Sequence, residues 1–208
     1  MNFLIIDDHA IVRKGLSQLL KEEFALAEVA EVSDSSDTYE KVKEKIWDVI
    51  LLDISMPGRS GMDVLKQIRA DNIKAPVLML SIHPEEQYAL RALKAGASGF
   101  LNKGSANEEL IVAVHKVLAG RKYISSALAE KLAEGAGTNT DRPAHELLSD
   151  REMQVLQLLS SGKTVSEVAD EISLSVNTIS TYRNRILEKL SLNNNAELTR
   201  YAIDNSLV

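Results

Sequence analysis

The feature that most limits the possible folds is an alternation of short apolar runs with helical patterns, repeated five times in the first half of the chain. The apolar runs, which we predict to be strands, are Phe3–Ile6, Ala27–Val32, Val49–Leu52, Val77–Leu80 and Gly99–Leu101. Most of them are continuously apolar, as is typical of strands buried on both faces of a parallel sheet. Strict alternation of strand and helix therefore predicts an α/β fold with a doubly wound, five-stranded parallel sheet.

The second half of the chain shows only helical patterns. Two capping boxes, Ser149–Glu152 and Thr164–Glu167, each begin a predicted helix. Ser175 caps a third, longer helix, and a fourth runs from about Ala196 to Asn205. Four short helices with tight connections predict an all-α helix-turn-helix domain.

A stretch rich in turn-forming residues separates the two halves. Residues 135–146 have no periodic apolar face, and they follow a helical pattern at Ala127–Leu132 that can belong to either side. We predict three segments: a first domain over residues 1–122, a linker that can contain a helix over 123–146, and the helical domain over 147–208.

Composition excludes several classes of protein and of site. The chain has no cysteine, which rules out disulfides, thiolate metal sites and a cysteine nucleophile. Its start is not a signal peptide, because no basic region precedes the apolar run Phe3–Ile6, and that run stops at Asp7. No apolar stretch approaches the roughly 20 residues of a membrane span. We expect a cytoplasmic protein with no membrane partner.

Net charge does not decide whether the chain binds nucleic acid. The whole chain carries −6, and residues 147–208 are also acidic, with six Lys and Arg against eight Asp and Glu. Three of those six cations, however, lie within seven residues on one predicted helix. The local placement of charge is therefore the informative feature.

Polar side chains end four of the five predicted strands, and they are Asp7, Asp8, Asp53, Ser81 and Lys103. Ligands of doubly wound sheets bind outside the carboxyl ends of the strands, so we expect these side chains to meet in one crevice. Three carboxylates beside one ammonium group repel each other unless a hard cation is present. Oxygen ligands of this kind suit Mg²⁺, which carboxylates, water and substrate phosphate hold together.

A carboxylate can act as a nucleophile toward phosphorus and form an aspartyl-phosphate. Asp53 is the favoured phosphoacceptor, because the adjacent Asp7 and Asp8 are better placed as metal ligands. Lys103 would supply a second positive charge to the phosphoryl oxygens, and the Ser81 hydroxyl would donate a hydrogen bond to one of them.

The strand-end motifs, taken in combination, resemble the receiver domain of NarL/FixJ-type response regulators over residues 1 to about 120. The matching segments are Asp7-Asp8-His9, Leu52-Asp53-Ile54-Ser55-Met56-Pro57-Gly58, Ser81 and Gly96–Lys103. The resemblance implies a CheY-like, flavodoxin-like receiver fold and a histidine kinase that phosphorylates Asp53. It also implies that Asp8 and the Ser55 carbonyl are direct Mg²⁺ ligands together with Asp53, while Asp7 acts mainly through water.

By the same resemblance, Ser81 and Phe100 form the switch pair, so that Ser81 turns toward the phosphoryl group and Phe100 swings inward. Ser55 and His83 lie two residues beyond Asp53 and Ser81, where they are expected to tune dephosphorylation by steering water. For His9 we expect a helix-start or surface role rather than a metal ligand.

The helix predicted after Ser175 carries a polar stripe opposite its apolar face. The stripe comprises Asn177, Ser180, Thr181 and Asn184, and the cations beside it are Arg183, Arg185 and Lys189. Asn, Ser and Thr side chains can bond base edges in the major groove, and Arg and Lys can reach phosphates. The segment resembles the LuxR-type helix-turn-helix, which implies that Ser180, Thr181 and Asn184 face the bases.

These features predict a two-component response regulator, a transcription factor rather than an enzyme. Phosphorylation would make it a homodimer that binds double-stranded DNA. One alternative is a phosphate-independent DNA-binding regulator. The other is a Mg²⁺-dependent aspartyl-phosphate phosphatase of the haloacid dehalogenase kind, which usually has its nucleophile on the first strand and a second acid two residues later. Here Asp7-Asp8 is followed by His9 and Ala10, and no segment resembles a substrate cap.

Overall fold

The computed structural model describes residues 1–135 and 143–208, and the chain divides into two compact units, Met1–Thr138 and Asn139–Val208. The elements of the N-terminal unit are β1 (Asn2–Ile6), α1 (Ala10–Glu23), β2 (Glu28–Val32), α2 (Ser35–Glu44), β3 (Val49–Asp53), α3 (Gly61–Ala70), β4 (Val77–Ser81), α4 (Glu85–Lys94), β5 (Gly99–Asn102), α5 (Ala106–Leu118) and α6 (Ser126–Gly135). Those of the C-terminal unit are a 3₁₀ turn (Ala144–Leu147), α7 (Asp150–Ser160), α8 (Val165–Glu171), α9 (Val176–Leu190) and α10 (Asn195–Asp204).

The five strands form one parallel sheet in the order β2-β1-β3-β4-β5. Each strand begins and ends within one residue of its predicted bounds. The strand order reverses beside β1, so the doubly wound prediction is confirmed, and the crevice between β1 and β3 is the point at which such sheets bind ligands.

Burial on both faces explains why β1, β3 and β4 are almost wholly apolar, whereas the edge strand β2 is only partly buried and contains two glutamates. Phe3 and Leu51 pack in one core cluster with Leu20 of α1 and Val114 of α5. The alternate residues, such as Leu52, face the other side of the sheet and are also fully buried. The helices therefore cover both faces, and only the strand ends remain for polar chemistry.

Gly61 lets helix α3 begin directly against the end of β3. A Cβ atom at this position would lie 1.9 Å from the Asp53 carbonyl oxygen, which no side chain permits. The Gly61 N–H donates to the Ile54 carbonyl at 3.0 Å, so the loop after Asp53 folds back tightly.

The C-terminal unit forms both predicted capping boxes, one at Ser149 and one at Thr164. Ser175 caps α9 by accepting from the Thr178 N–H at 3.1 Å. The helices enclose a second apolar core whose fully buried members include Val155, Leu156, Val168, Ile179, Ile186 and Leu198. The all-α four-helix domain is therefore confirmed.

Helix α6 covers the stretch expected to be helical before the linker, and it belongs to the N-terminal unit. Part of the predicted linker, residues 136–142, lies outside the described residues. The domain boundaries at 122 and 146 therefore stay predictions. In the part of the chain that is described, no helix combines the length and the apolar character that crossing a membrane requires.

Candidate functional site

The carboxyl ends of the strands bring together the acidic and basic side chains that the sequence pattern predicted there. The Lys103 Nζ atom lies 2.7 Å from Asp7 Oδ2 and 2.8 Å from Asp53 Oδ2. Asp7 and Asp53 are fully buried, and only 7% of the Lys103 side chain is exposed. Two buried carboxylates thus share one buried ammonium group, which leaves a net negative charge in a region of low dielectric constant.

Asp53 lies at the end of β3, the central strand. One of its oxygens, Oδ1, accepts a hydrogen bond from the Ser55 N–H at 3.2 Å. Burial raises the pKa of Asp53 to about 6, and the Asp7 carboxylate adds to this effect, although Lys103 opposes it. The carboxylate is therefore an anion of raised basicity, a property that makes it a better nucleophile than an exposed aspartate.

The cluster fits a divalent cation that prefers oxygen. Ligand atoms of Asp7, Asp8, His9 and Asp53 all lie within 4.8 Å of one another. Three buried carboxylate oxygens share two nitrogen partners: Lys103 Nζ contacts Asp7 Oδ2 and Asp53 Oδ2, and His9 Nδ1 contacts Asp8 Oδ1. One ammonium group shared by two buried carboxylates compensates their charge only in part, and a hard cation such as Mg²⁺ would supply the rest.

His9 caps the start of α1, as expected, and its side chain is 57% exposed. Its Nδ1 atom nevertheless lies 2.7 Å from Asp8 Oδ1 and 3.1 Å from Asp7 Oδ1. The imidazole therefore contacts both members of the acidic pair, a position that sequence reasoning did not anticipate for this residue.

The predicted switch pair lies on β4 and β5. The Ser81 Oγ atom accepts a hydrogen bond from the His83 N–H at 2.9 Å. Phe100 is already buried, with 1% of its surface exposed. The inward movement of Phe100 on phosphorylation stays a prediction.

His83 and Ser55 follow the strand ends as expected. The His83 ring packs near Tyr88 of α4, with 5.5 Å between ring centroids, and burial lowers the pKa of the imidazole. The Asn102 side chain donates to the His83 carbonyl at 3.2 Å and so joins the loops after β4 and β5. The effect of Ser55 and His83 on dephosphorylation stays a prediction.

Two residues that matter for the site escaped sequence reasoning. Gly61 is one of them. Its only signal in the sequence was that a glycine stands where a helix begins, two residues after Arg59. Arg13 is the other, because its guanidinium Nη1 donates to the Asp7 carbonyl at 2.7 Å. Arg13 lies four residues after His9 on α1, and a single helical cation carries no sequence signal for such a contact.

In the C-terminal unit, α9 presents the predicted polar stripe to solvent. Asn177, Thr181 and Asn184 are exposed, and Ser180 is partly exposed, while Ile179 on the opposite side is buried. The Thr181 hydroxyl donates to the Asn177 carbonyl of the same helix at 2.9 Å. A stripe of neutral polar groups on one helix face has the width and the hydrogen-bonding groups for a DNA major groove.

The three cations of α9 differ in what they contact. The Arg183 Nε atom donates to Asn195 Oδ1 of α10 at 2.5 Å. Lys189 Nζ lies 2.6 Å from Glu152 Oε2 on α7 and donates to the Leu147 carbonyl at 3.3 Å. Within the described residues, Arg185 is exposed and makes no hydrogen bond or ion pair. Lys189 thus joins α9 to α7, and Arg185 is the cation best placed to meet a ligand.

Comparison with known proteins agrees with this geometry. Residues 3–115 match the family model of the response regulator receiver domain. Residues 146–202 match the model of the bacterial regulatory proteins of the luxR family. The two matched regions correspond to the sheet that carries the acidic cluster and to the helices that carry the polar stripe.

Relatives of the same length show similarity across both units. Response regulator UvrY of Escherichia coli K12 is 32% identical over 100% of this chain and 95% of its own length. Response regulator GacA of Pseudomonas aeruginosa is 32% identical over 99% of this chain and 96% of its own. A solved structure of RcsB from Salmonella enterica serovar Typhimurium, bound to promoter rprA with the phosphomimetic BeF₃⁻, is 26% identical, has a TM-score of 0.67 and covers 97% of both chains. The chain therefore belongs to the two-component response regulators that join a receiver domain to a luxR-family DNA-binding domain.

Proposed function

We propose that a histidine kinase phosphorylates this regulator on Asp53 and that phosphorylation controls DNA binding by the C-terminal unit. The observation that carries the proposal is the buried cluster in which Lys103 contacts both Asp7 and Asp53. Buried charges that lack full compensation are unusual unless a reaction uses them. A phosphate-independent regulator would have no need to keep such a cluster.

The transfer step makes one bond and breaks one. A carboxylate oxygen of Asp53 attacks phosphorus, and the phosphorus–nitrogen bond to the kinase histidine breaks with its electron pair on nitrogen. The ring leaves as neutral imidazole because its other nitrogen carries a proton. Lys103 stabilises the negative charge on the transferred oxygens, and the Ser81 hydroxyl would donate a hydrogen bond to one of them. Asp8, Asp53 and the Ser55 carbonyl would hold Mg²⁺, with Asp7 acting through water, and the ion supplies further positive charge to the phosphoryl oxygens.

The C-terminal unit would read DNA with α9. Asn177, Ser180, Thr181 and Asn184 are the proposed groove-facing residues, and Arg183 and Arg185 the proposed phosphate contacts. Lys189 stays a weaker candidate, since its ammonium group is held by Glu152. A bacterial regulator of this kind would act in the cytoplasm, where the chromosome lies.

A single helical unit with so few free cations makes few phosphate contacts and would bind weakly at cellular salt. Joining two copies makes the second contact intramolecular and raises the apparent affinity. We therefore infer a homodimer, formed when phosphorylated receivers pair, whose recognition helices meet half-sites about one helical turn apart or a multiple of it. A solved structure of RcsB, described as two dimers bound to two parallel DNAs, supports a dimer as the form that binds DNA.

The test is phosphorylation by a small phosphodonor with Mg²⁺, followed by measurement of solution mass and of operator affinity. The wild-type protein should incorporate phosphate, dimerise and bind more tightly, whereas Asp53→Asn should do none of these. Phosphate on Asp53→Asn at the wild-type level would contradict the assignment of the phosphoacceptor. Tighter DNA binding by a protein that remains monomeric would contradict the dimer mechanism.

A second measurement concerns the lifetime of the phosphoryl group. Ser55→Ala and His83→Ala remove side chains near Asp53 and Ser81 without removing either residue. A changed half-life of the aspartyl-phosphate in at least one of these variants is expected if they steer water. Wild-type half-lives in both variants would remove them from the site.

A further inference from the structure

Arg13 of α1 lies against the acidic pair without belonging to it. Its Nη1 atom donates to the Asp7 main-chain carbonyl at 2.7 Å, and its Nε atom lies 3.4 Å from Glu31 Oε2 on β2. Only 15% of the Arg13 side chain is exposed, compared with 35% of Glu31. This nearly buried guanidinium pairs with Glu31 and bonds a main-chain carbonyl of the acidic pair, which points to a role in main-chain geometry.

The contact holds the peptide group that joins Asp7 to Asp8. The Asp7 N–H donates to the Val32 carbonyl at 3.1 Å, so the peptide before Asp7 is already held by β2. Arg13 holds the carbonyl of the following peptide, which is planar and ends at the Asp8 nitrogen. Arg13 therefore limits the directions in which the Asp8 side chain can leave the main chain.

Glu31 in turn orients Arg13 and compensates part of its charge. Without Glu31, the guanidinium would be free to reach a carboxylate of the acidic pair, where it would compete with a metal ion. The pairing on β2 thus leaves Arg13 to bond the Asp7 carbonyl and leaves the carboxylates of Asp7 and Asp8 available.

We propose that Arg13, held by Glu31, is a positioning residue that sets Asp8 for Mg²⁺ and thereby sets the affinity of the receiver for the ion. The inference rests on the proposed Mg²⁺ role of Asp8. The proposal predicts that removal of Arg13 weakens Mg²⁺ binding, the opposite of what its charge alone would cause. Removal of a cation near an acidic site strengthens Mg²⁺ binding by simple electrostatics, whereas loss of a positioning contact weakens it.

Mg²⁺ affinity of the full chain, measured by isothermal titration calorimetry without phosphodonor, tests the proposal. Arg13→Ala should weaken binding about tenfold, which corresponds to the ~1.4 kcal/mol expected for loss of a hydrogen bond from a charged donor. Arg13→Lys should recover part of that loss, and Glu31→Gln should weaken binding less than Arg13→Ala. Lys14→Ala is the matched control, because this exposed neighbour has the same charge; binding should be unchanged or slightly tighter.

Wild-type or tighter affinity in Arg13→Ala would overturn the proposal. If that variant does not fold, wild-type affinity in both Arg13→Lys and Glu31→Gln would do so. Asp8→Asn tests the Mg²⁺ role of Asp8 separately from the positioning role of Arg13. This variant should bind Mg²⁺ far more weakly than the wild type, whatever Arg13 does. Wild-type affinity in Asp8→Asn would contradict the proposed function itself.

A second, independent set of contacts connects the switch pair to the start of the linker. Residues 121–125, here called the strap, follow α5 and run beside β5. The Tyr123 N–H donates to the Ser98 carbonyl at 2.9 Å, and the Tyr123 carbonyl accepts from the Phe100 N–H at 3.4 Å. The strap thus pairs with the free edge of β5 in parallel, opposite Gly99.

Side-chain hydrogen bonds hold the strap at its middle residue, Tyr123, and at its last residue, Ser125. The Tyr123 hydroxyl donates to Glu109 of α5 at 2.8 Å, and Tyr123 is 6% exposed. The Ser125 hydroxyl donates to Glu85, the first residue of α4, and its N–H donates to the same carboxylate at 3.3 Å. Ser125 Oγ also accepts from the Leu128 N–H at 3.1 Å and so caps the first turn of α6.

We infer that the strap transmits the switch to α6, since its partners are Phe100 of the switch pair and the first residue of the helix that follows Ser81. A shift of the β5 main chain or of α4 on phosphorylation would stretch or break these bonds, and it would move Ser125, whose hydroxyl caps α6. The inference rests on the proposed switch, which it extends to the linker.

Amide hydrogen exchange of the full chain, with and without beryllofluoride and Mg²⁺, tests this inference. The peptide that contains Tyr123 and Ser125 should exchange several-fold faster when beryllofluoride is bound. Ser125→Ala should raise its exchange without beryllofluoride, whereas Ser126→Ala, at the exposed neighbouring position, should not. Unchanged exchange in the strap while the region of Ser81 and Phe100 responds would overturn the inference; no response in either region would contradict the proposed switch.

Discussion

Both units bury carboxylates, Asp7 and Asp53 in the N-terminal unit and Glu152 in the C-terminal unit, but burial has opposite outcomes for Asp53 and for Glu152. Glu152 of α7 is 3% exposed, and its Oε2 accepts from the Ser149 N–H at 2.7 Å and from Lys189 Nζ at 2.6 Å. Burial alone would raise the pKa of Glu152, but hydrogen bonds from Lys189 and Ser149 outweigh it, so that the pKa is lowered. For Asp53 burial prevails, and the pKa rises to about 6.

The difference separates a structural charge from a reactive one. The Glu152 carboxylate completes a capping box and joins α7 to α9, so its bonding needs are met inside the fold. Asp53 shares the single ammonium group of Lys103 with Asp7, so its charge is compensated only in part. A fold that leaves buried charges partly unsatisfied pays for it in stability, and the reaction partners supply what is missing.

The largest expected effect is on the structural side of this comparison. Glu152→Ala removes a buried partner of Lys189 and one half of a capping box, and it should lower the free energy of unfolding of the C-terminal unit by about 3 kcal/mol. Glu167→Ala is the matched control, because Glu167 has the same place in the capping box of α8 but is exposed. It should lower stability by about 1 kcal/mol or less.

Urea unfolding followed by circular dichroism measures both variants. Trp47, the one tryptophan of the chain, lies in the N-terminal unit, so its fluorescence should follow a separate transition that neither variant shifts. Equal losses in Glu152→Ala and Glu167→Ala would show that burial and Lys189 add nothing to the capping box.

At the reactive carboxylate, Asp53, we expect the substitution to raise stability rather than lower it. Without metal at pH 7.5, Asp53→Asn should raise the free energy of unfolding by about 1–2 kcal/mol. The rise of its pKa from 3.8 to about 6 sets an upper bound of about 3 kcal/mol, and loss of the Lys103 contact offsets part of it.

The pH dependence checks the cause of this gain. A carboxyl group with a raised pKa binds its proton more tightly in the folded state, so the wild type loses stability as pH rises from about 4 through about 6. The advantage of Asp53→Asn should therefore grow over that window and then level off, as read from Trp47 fluorescence in urea with a chelator present. Glu40→Gln, at an exposed position of the same unit, should show no such growth, and a pH-independent advantage for Asp53→Asn would refute the burial explanation.

The smallest expected effect is on DNA binding, where the cations of α9 should differ according to whether they already contact the protein. Arg185→Ala should reduce DNA affinity on all sequences and lower the salt-dependence slope by about one unit, as expected for one phosphate contact. Lys189→Ala should change the slope less, because its ammonium group is bound to Glu152, and should instead lower the stability of the unit. The measurement is binding to operator and to unrelated DNA at several salt concentrations.

Asn184→Ala completes that experiment. It should weaken binding to the operator by roughly 1–3 kcal/mol with little effect on unrelated DNA, if its amide bonds a base edge. Equal losses on both DNAs would move Asn184 to the phosphate contacts, and equal slopes for Arg185→Ala and Lys189→Ala would erase the distinction between free and engaged cations.

Local sequence patterns by themselves determined the architecture and the members of the reactive cluster. Buried parallel strands require continuous apolar runs, and their carboxyl ends must meet at one edge, so Asp7, Asp53 and Lys103 were bound to come together. The capping boxes at Ser149 and Thr164 were equally predictable, because their hydrogen bonds span three residues of one helix turn.

Tertiary structure alone decided which partner each polar group found. Periodicity indicates that a residue faces inward, but not which residue of another element it meets there. The contacts of Lys189 with Glu152 and of the strap with β5 and α4 join residues far apart in sequence, and the burial of Phe100 depends on how α4 and α5 pack around β5. Arg13 reaches Asp7 across only six residues, yet the contact exists because α1 packs where β2 can supply Glu31. Helix packing, which no local pattern encodes, fixes such pairings.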